Sequence, residues 1–188
     1  MKSFFLVFCL QVIVANAFVP TANNRQMRRA KAISTFSSTS QSSCSSSQLM
    51  MSAGGVVITG SAGGVGYAYA GEFMDRGYDV VICDVKDCTE AVKALTARHP
   101  NGKVFGTKCD VSDAVSVEKL GKFAQNKLGT VNYWINNAGV NGGRRALRDV
   151  PVSQVEMVVK VNLLGVLLCT KVAMDIMANQ VGSCRADC

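Results

Sequence analysis

The chain has 188 residues, 48% of them apolar and 17 of them glycine, enough for one domain with a real core and too few for two generous ones. Its formal charge is +7, but residues 1–53 carry Lys2, Arg25, Arg28, Arg29 and Lys31 and no acid. That leaves 15 of the 20 basic residues against all 13 acidic ones, a net +2, for residues 54–188. No nucleic-acid partner is therefore expected of the folded part. The eight cysteines form no C-x-x-C pair and His99 is the only histidine, which speaks against a Cys/His metal site and against a Ser-His-Asp triad.

Residues 1–17 read as a signal peptide. Lys2 precedes an apolar run, Phe4 to Val14, shorter than the roughly 20 residues that span a bilayer, and Ala15-Asn16-Ala17 supplies small residues for cleavage. No stable membrane span is expected. Residues 18–53 are basic, free of acid and rich in Ser from Ser34 to Ser47, the composition of a transit peptide and too polar for a core. With Phe18 at the junction, the two parts resemble the bipartite plastid-targeting leaders of algae with complex plastids. That resemblance implies a plastid address; a secreted protein with a Ser-rich linker is the alternative. Eight cysteines without an evident pairing suit a reducing compartment.

From Gly54 onward, strand and helix signals alternate. Val56-Val57-Ile58 is a short apolar run, as in a strand buried on both faces, and leads into Thr59-Gly60-Ser61-Ala62-Gly63-Gly64-Val65-Gly66. A helical pattern through Val65, Tyr69 and Phe73 then runs to Gly77, a C-cap candidate. Val80 to Cys83 predicts a second buried strand ending at Asp84, and a helix follows over roughly 87–98 with Ala91, Leu95 and Arg98 in register. Val104 to Cys109 predicts a third strand, ending at Asp110. Ser112 is then the N-cap candidate of a helix with Val115, Leu120, Phe123 and Ala124 inward. Val131 to Ile135 predicts a fourth strand before Asn136-Asn137-Ala138-Gly139. A Gly/Arg loop over 140–149 leads to a long helix from about Ser153 to Ala178.

Alternating strands and helices, with every strand uniformly apolar, predict an α/β fold with a doubly wound parallel sheet. Right-handed crossovers then carry Gly60, Asp84, Asp110 and Asn136 to one sheet edge. Glycines after the first strand let a diphosphate approach backbone amides at a helix N-terminus, although a plain tight turn needs them too. Asp84, about 20 residues further on, stands where a carboxylate accepts both hydroxyls of an adenosine ribose, or where a loop Asp is merely solvated. A carboxylate there repels a 2′-phosphate and Gly63 offers no base to attract one, so NAD is favoured over NADP.

These motifs resemble the short-chain dehydrogenase/reductase family over most of residues 54–178. They are Thr59-Gly60 with Gly64-Val65-Gly66, Cys109-Asp110-Val111, Asn136-Asn137-Ala138-Gly139 and Val161-Asn162-Leu163, in that order. The resemblance implies cofactor contacts from Gly60, Ser61, Gly64, Val65, Gly66, Asp84, Asp110, Val111, Asn136, Ala138 and Gly139. It also implies a catalytic role for Asn162, which would support a water in a proton relay. The implied partner is a small carbonyl or alcohol substrate, with pairing into a homo-oligomer through the Asn162 helix. Val80 to Cys83, Gly106 to Val111, Trp134 to Gly139 and Leu164 to Cys169 are similar to the chlorophyll(ide) b reductase branch, Trp134 above all.

The family's chemistry uses a Tyr four residues before a Lys. Here Tyr67, Tyr69, Tyr78 and Tyr133 are followed at that spacing by Gly71, Phe73, Ile82 and Asn137. The chain therefore reads as an oxidoreductase's cofactor half, truncated before the catalytic Ser, Tyr and Lys. The alternative is a non-catalytic dinucleotide-binding or interaction module. In neither case are these 188 residues expected to turn over substrate.

Overall fold

The computed structural model describes residues 11–14, 52–143 and 146–183. The expected leader boundary at 17 lies outside this range; the one at 53 lies inside it, where Ala53 N donates to Gly77 O at 2.9 Å. Four strands, β2 (Gly55–Thr59), β3 (Asp79–Asp84), β4 (Val104–Lys108) and β5 (Tyr133–Asn136), pair in parallel in the order β5-β2-β3-β4. The expected doubly wound sheet is what forms. A further strand, β1 (Gln11–Val14), lies antiparallel on the outer edge of β5, with Gln11 opposite Asn136 and Val14 opposite Tyr133. It comes from the apolar run read as a signal-peptide core, for which sequence pattern predicts no strand.

The strands serve two cores, because successive side chains point to opposite faces. Val56, Ile58, Val80, Ile82 and Ile135 pack on one face under α1 (Gly64–Asp75) and α2 (Thr89–Arg98). Val57, Val81, Cys83 and Trp134 pack on the other, under α3 (Ala114–Leu128) and α5 (Gly165–Ser183).

The helices sit where expected, with several faces and caps corrected. On α1 the buried line is Gly66, Ala70 and Met74, while Val65 is 62% exposed at the mouth of the turn. On α3 it is Val117, Leu120, Gly121 and Ala124, and Val115 is 56% exposed. Apolarity alone cannot say which of two neighbouring positions on a helix turns to the sheet. Arg98, expected in register on α2, is exposed at its C-terminus, where a cation suits the helix dipole. Asp113, not Ser112, caps α3 by accepting from Ser116 N at 2.9 Å. The Ser112 hydroxyl donates instead to Asp110 Oδ1 at 2.7 Å.

The long helix is interrupted. α4 (Val152–Val159) and α5 are joined by a wider π turn over Lys160–Leu164. Cys169, Ala173, Ile176 and Met177 dock α5 on the sheet, whereas Val152, Val155, Val159, Leu163 and Leu167 are exposed. By length and composition alone, Val152–Gln180 would suffice to cross a membrane; α5 docks on the sheet, whereas α4 buries no residue and Met157, Leu164 and Met174 are exposed as well.

Among the described residues, one buried side-chain polar atom is orphaned. His99 Nδ1 lies 2.8 Å from Asp75 Oδ1, while Nε2 has no partner and sits 3.4 Å from where a Cβ on Gly71 would stand. That is the separation of a hydroxyl-bearing carbon from its acceptor. Gly71→Ser should therefore stabilise the fold by about 1 kcal/mol, through better helix propensity and a new hydrogen bond. A urea midpoint at or below the wild-type value would refute this.

Candidate cofactor-binding site

The C-terminal ends of the parallel strands bring Gly60, Asp84, Asp110 and Asn136 to one edge, as the topology requires. The turn after β2 is locked to the segment after β5. Thr59 Oγ1 accepts from Asn137 N at 3.1 Å and Ala138 N at 3.0 Å. In return Asn137 Nδ2 donates to Thr59 O at 3.0 Å and to Gly60 O at 2.8 Å. The two segments approach so closely that a Cβ on Gly60, itself at φ +64°, would lie 2.6 Å from Ala138 Cα. A Cβ on Gly66 would lie 2.6 Å from Gly60 O and 2.6 Å from Asn137 Nδ2. Gly63 and Gly64 differ: a Cβ on either would meet nothing within 4 Å. The turn thus presents bare backbone at the N-terminus of α1, the cradle an anionic group needs.

Asp84 closes the adjoining side. Its Oδ2 accepts from Ala62 N at 3.2 Å and its Oδ1 from Lys86 N at 3.1 Å, so the carboxylate is pinned beside the glycine turn. Two charged neighbours were not anticipated from sequence. The Thr89 hydroxyl, 2.7 Å from Asp87, holds that carboxyl below its ordinary range, with the Thr89 N–H adding to the effect and Lys108 contributing its charge. Lys108 itself stands opposite Asp84 in the strand register.

The remaining expected contacts fall into two groups. Val65 and Gly139 line the open side, neither of them buried, and Ala138 backs Gly60. Ser61, Val111 and Asn136 are buried. The Ser61 hydroxyl donates to Ile58 O at 2.7 Å and accepts from Cys83 N at 3.1 Å. Val111 packs against Gly165, and the Asn136 amide is held by Trp134 and Thr170. These three side chains are taken up inside the fold, and the Ser61 N–H donates to Cys83 O at 3.0 Å. Asp110 is exposed, and its Oδ1 accepts from Ser112 N at 2.9 Å.

Asn162 lies in the π turn, where its Oδ1 accepts from Val140 N at 2.9 Å and its Nδ2 donates to Val140 O at 2.8 Å. The side chain thereby splints the loop after β5 to the long helix. Thr59 and Asn137 were missed as site residues, although a polar side chain closing a buried strand and a doubled Asn were visible signals. Burial pushes the Cys169 thiol up to about 12 and the Cys88 thiol up to about 11, while the hydrogen bond between Cys83 and Cys109 raises the Cys83 thiol and lowers that of Cys109.

A parallel sheet with a glycine turn, an acid closing β3 and a clamp of Asn137 on Thr59 and Gly60 defines a dinucleotide-binding dehydrogenase architecture. The chain belongs to the short-chain dehydrogenase family, whose model matches residues 55–184. It is 38% identical to "Chlorophyll(ide) b reductase NOL, chloroplastic" of Arabidopsis thaliana, over 66% of this chain and 36% of that protein. It is equally identical to "Probable chlorophyll(ide) b reductase NYC1, chloroplastic" of the same plant, over 66% of this chain and 29% of that one. Among solved structures, levodione reductase superposes with a TM-score of 0.64 at 30% identity, covering 69% of this chain and 51% of that one. A short-chain dehydrogenase from Burkholderia phymatum in complex with NAD gives 0.61 at 30%, covering 71% and 47%. The chain spans 28% to 37% of the length of the chlorophyll(ide) b reductases it matches.

Proposed function

We propose that residues 55–183 hold NAD(H) as the cofactor half of an oxidoreductase acting on a carbonyl or alcohol substrate, a plastid pigment such as chlorophyll(ide) b being the candidate. The observation that carries this reading is the locked glycine turn beside Asp84: the clamp fixes the turn from within, and its outer face stays free of side chains. Gly63, Gly64 and the N-terminus of α1 would receive the diphosphate, and Asp84 the adenosine ribose. Ala138, Gly139 and the Asn162–Val140 splint would border the nicotinamide end. When bound, the nicotinamide supplies or accepts the hydride; this chain's residues bind and orient it.

Asp84 and Asp87 together place negative charge where a 2′-phosphate would sit, which supports NAD over NADP. The second reading, NADP(H), draws on Lys86 and Lys108, both beside Asp84. Calorimetric titration with NADH and NADPH separates them: tighter NADH binding is expected, and equal or tighter NADPH binding would reject it. Asp84→Ser with Val85→Arg should turn the preference toward NADPH, since it removes the repulsion and adds a forked donor.

Relatives whose names carry the word chloroplastic support the plastid address proposed for the leader. A reporter fused after residue 53 should enter plastids, and its secretion would refute that address. The exposed stripe of Val152, Val155, Val159, Leu163 and Leu167 is the surface through which a second copy would pair. A non-catalytic dinucleotide-binding or interaction module is the alternative class.

A further inference from the structure

Trp134, the one tryptophan of the chain, sits fully buried in β5 on the face packed by α3 and α5. An indole so placed needs an acceptor for its N–H. It finds one two residues on, where Nε1 donates to Asn136 Oδ1 at 3.2 Å. That bond decides which way the Asn136 amide faces. Its Nδ2 is thereby left to donate to Thr170 Oγ1, on α5, at 3.1 Å. Eight residues earlier on the same helical run, Asn162 grips Val140 by two bonds. The segment Asn136–Val140 is thus tied at both ends to one helix and, through Asn137, to the glycine turn between them.

We propose that Trp134 is a positioning residue of the cofactor site, its indole N–H fixing the Asn136 amide so that Asn136 and Thr170 hold the Asn136–Val140 segment at a set height over α5. The proposal rests on the reading that this crevice binds a dinucleotide. An apolar ring at position 134 fills most of the same space but offers no donor. Asn136 Oδ1 is then buried without a partner and the amide is free to turn over, so Nδ2 is no longer fixed toward Thr170. Slack in the segment moves Ala138, whose Cα backs Gly60, and so loosens the turn meant for the diphosphate. A tryptophan that only filled the core would change stability and leave the site as it was.

The test uses the full chain and compares Trp134→Phe with Val117→Ala, a fully buried change on the same core face that touches none of these bonds. Both variants should melt earlier. Amide hydrogen exchange at Ala138 and Val140, corrected for global stability, should quicken about tenfold in Trp134→Phe and stay unchanged in Val117→Ala. NADH affinity measured by calorimetry should weaken about fivefold in Trp134→Phe only. Thr170→Val, at the far end of the relay, should copy both effects. Equal exchange and equal affinity in Trp134→Phe and Val117→Ala would overturn the proposal. A wild-type chain that takes up no NADH would instead overturn the dinucleotide reading, with the exchange difference still deciding the tether.

Discussion

Asn137→Asp is expected to cost about 3 kcal/mol of stability at pH 7 and to recover part of that as the pH falls. The wild-type amide donates to two carbonyls, Thr59 O and Gly60 O, at 3.0 and 2.8 Å in a half-buried site. Losing two hydrogen bonds costs about 1 kcal/mol each, and an anionic oxygen facing the same two carbonyls adds repulsion. The sign of the pH response follows. The new carboxyl would have a folded-state pKa above its unfolded value of about 3.9, because its charged form is the disfavoured one. The penalty is full above the folded pKa, shrinks as pH falls through it, and its ionic part is gone below the unfolded value. Asn137→Ala loses the same bonds without a titrating group, so its deficit should not vary with pH. Urea unfolding of both variants at pH 7 and pH 5 measures this. If the two respond alike to pH, the amide is not what faces those carbonyls.

The second large effect concerns Gly60. Alanine there should cost about 2–5 kcal/mol and lower the melting temperature by roughly 10 °C, a large part of a total stability of about 5–15 kcal/mol. Two terms add. The residue sits at φ +64°, which costs a non-glycine side chain about 1–2 kcal/mol. Its Cβ would also lie 2.6 Å from Ala138 Cα and 3.0 Å from Ala138 N, backbone atoms that cannot swing aside as a side-chain tip can, and overpacking of this kind costs about 1–3 kcal/mol. Gly63→Ala three residues away is the matched comparison. Its backbone is extended and its Cβ would meet nothing within 4 Å, so its stability should change by under about 0.5 kcal/mol. Equal melting temperatures for the two variants would mean that the turn does not press on the segment after β5.

Much of this architecture was legible in the chain before any coordinates. Val56–Ile58 and Val80–Cys83 are uniformly apolar because strands covered on both faces have no polar side to show, while Val104–Cys109, at the sheet edge, carries Thr107 and Lys108 and Val131–Ile135 carries Asn132. Each ends in a residue of different chemistry, and the handedness of crossovers then suffices to bring Gly60, Asp84, Asp110 and Asn136 together. Order along the chain, local composition and chirality determined that much. What the tertiary structure decided depends on partners distant in sequence. Asn137 and Thr59 are 78 positions apart, and nothing local marks one as the other's clamp. Ser61 and Asn136 carry polar side chains at the predicted edge, yet Cys83, Trp134 and Thr170 turn them inward. Val65 and Val115 look like core residues in the helical pattern, and only docking against the sheet set the neighbouring line of each helix inward. The π turn at Lys160–Leu164 likewise has no signature in apolar spacing: it shifts the helix face by part of a turn, with Asn162 inside it bonded to the loop after β5. Periodicity reports what a segment would bury, whereas the partner across the fold chooses which atoms meet.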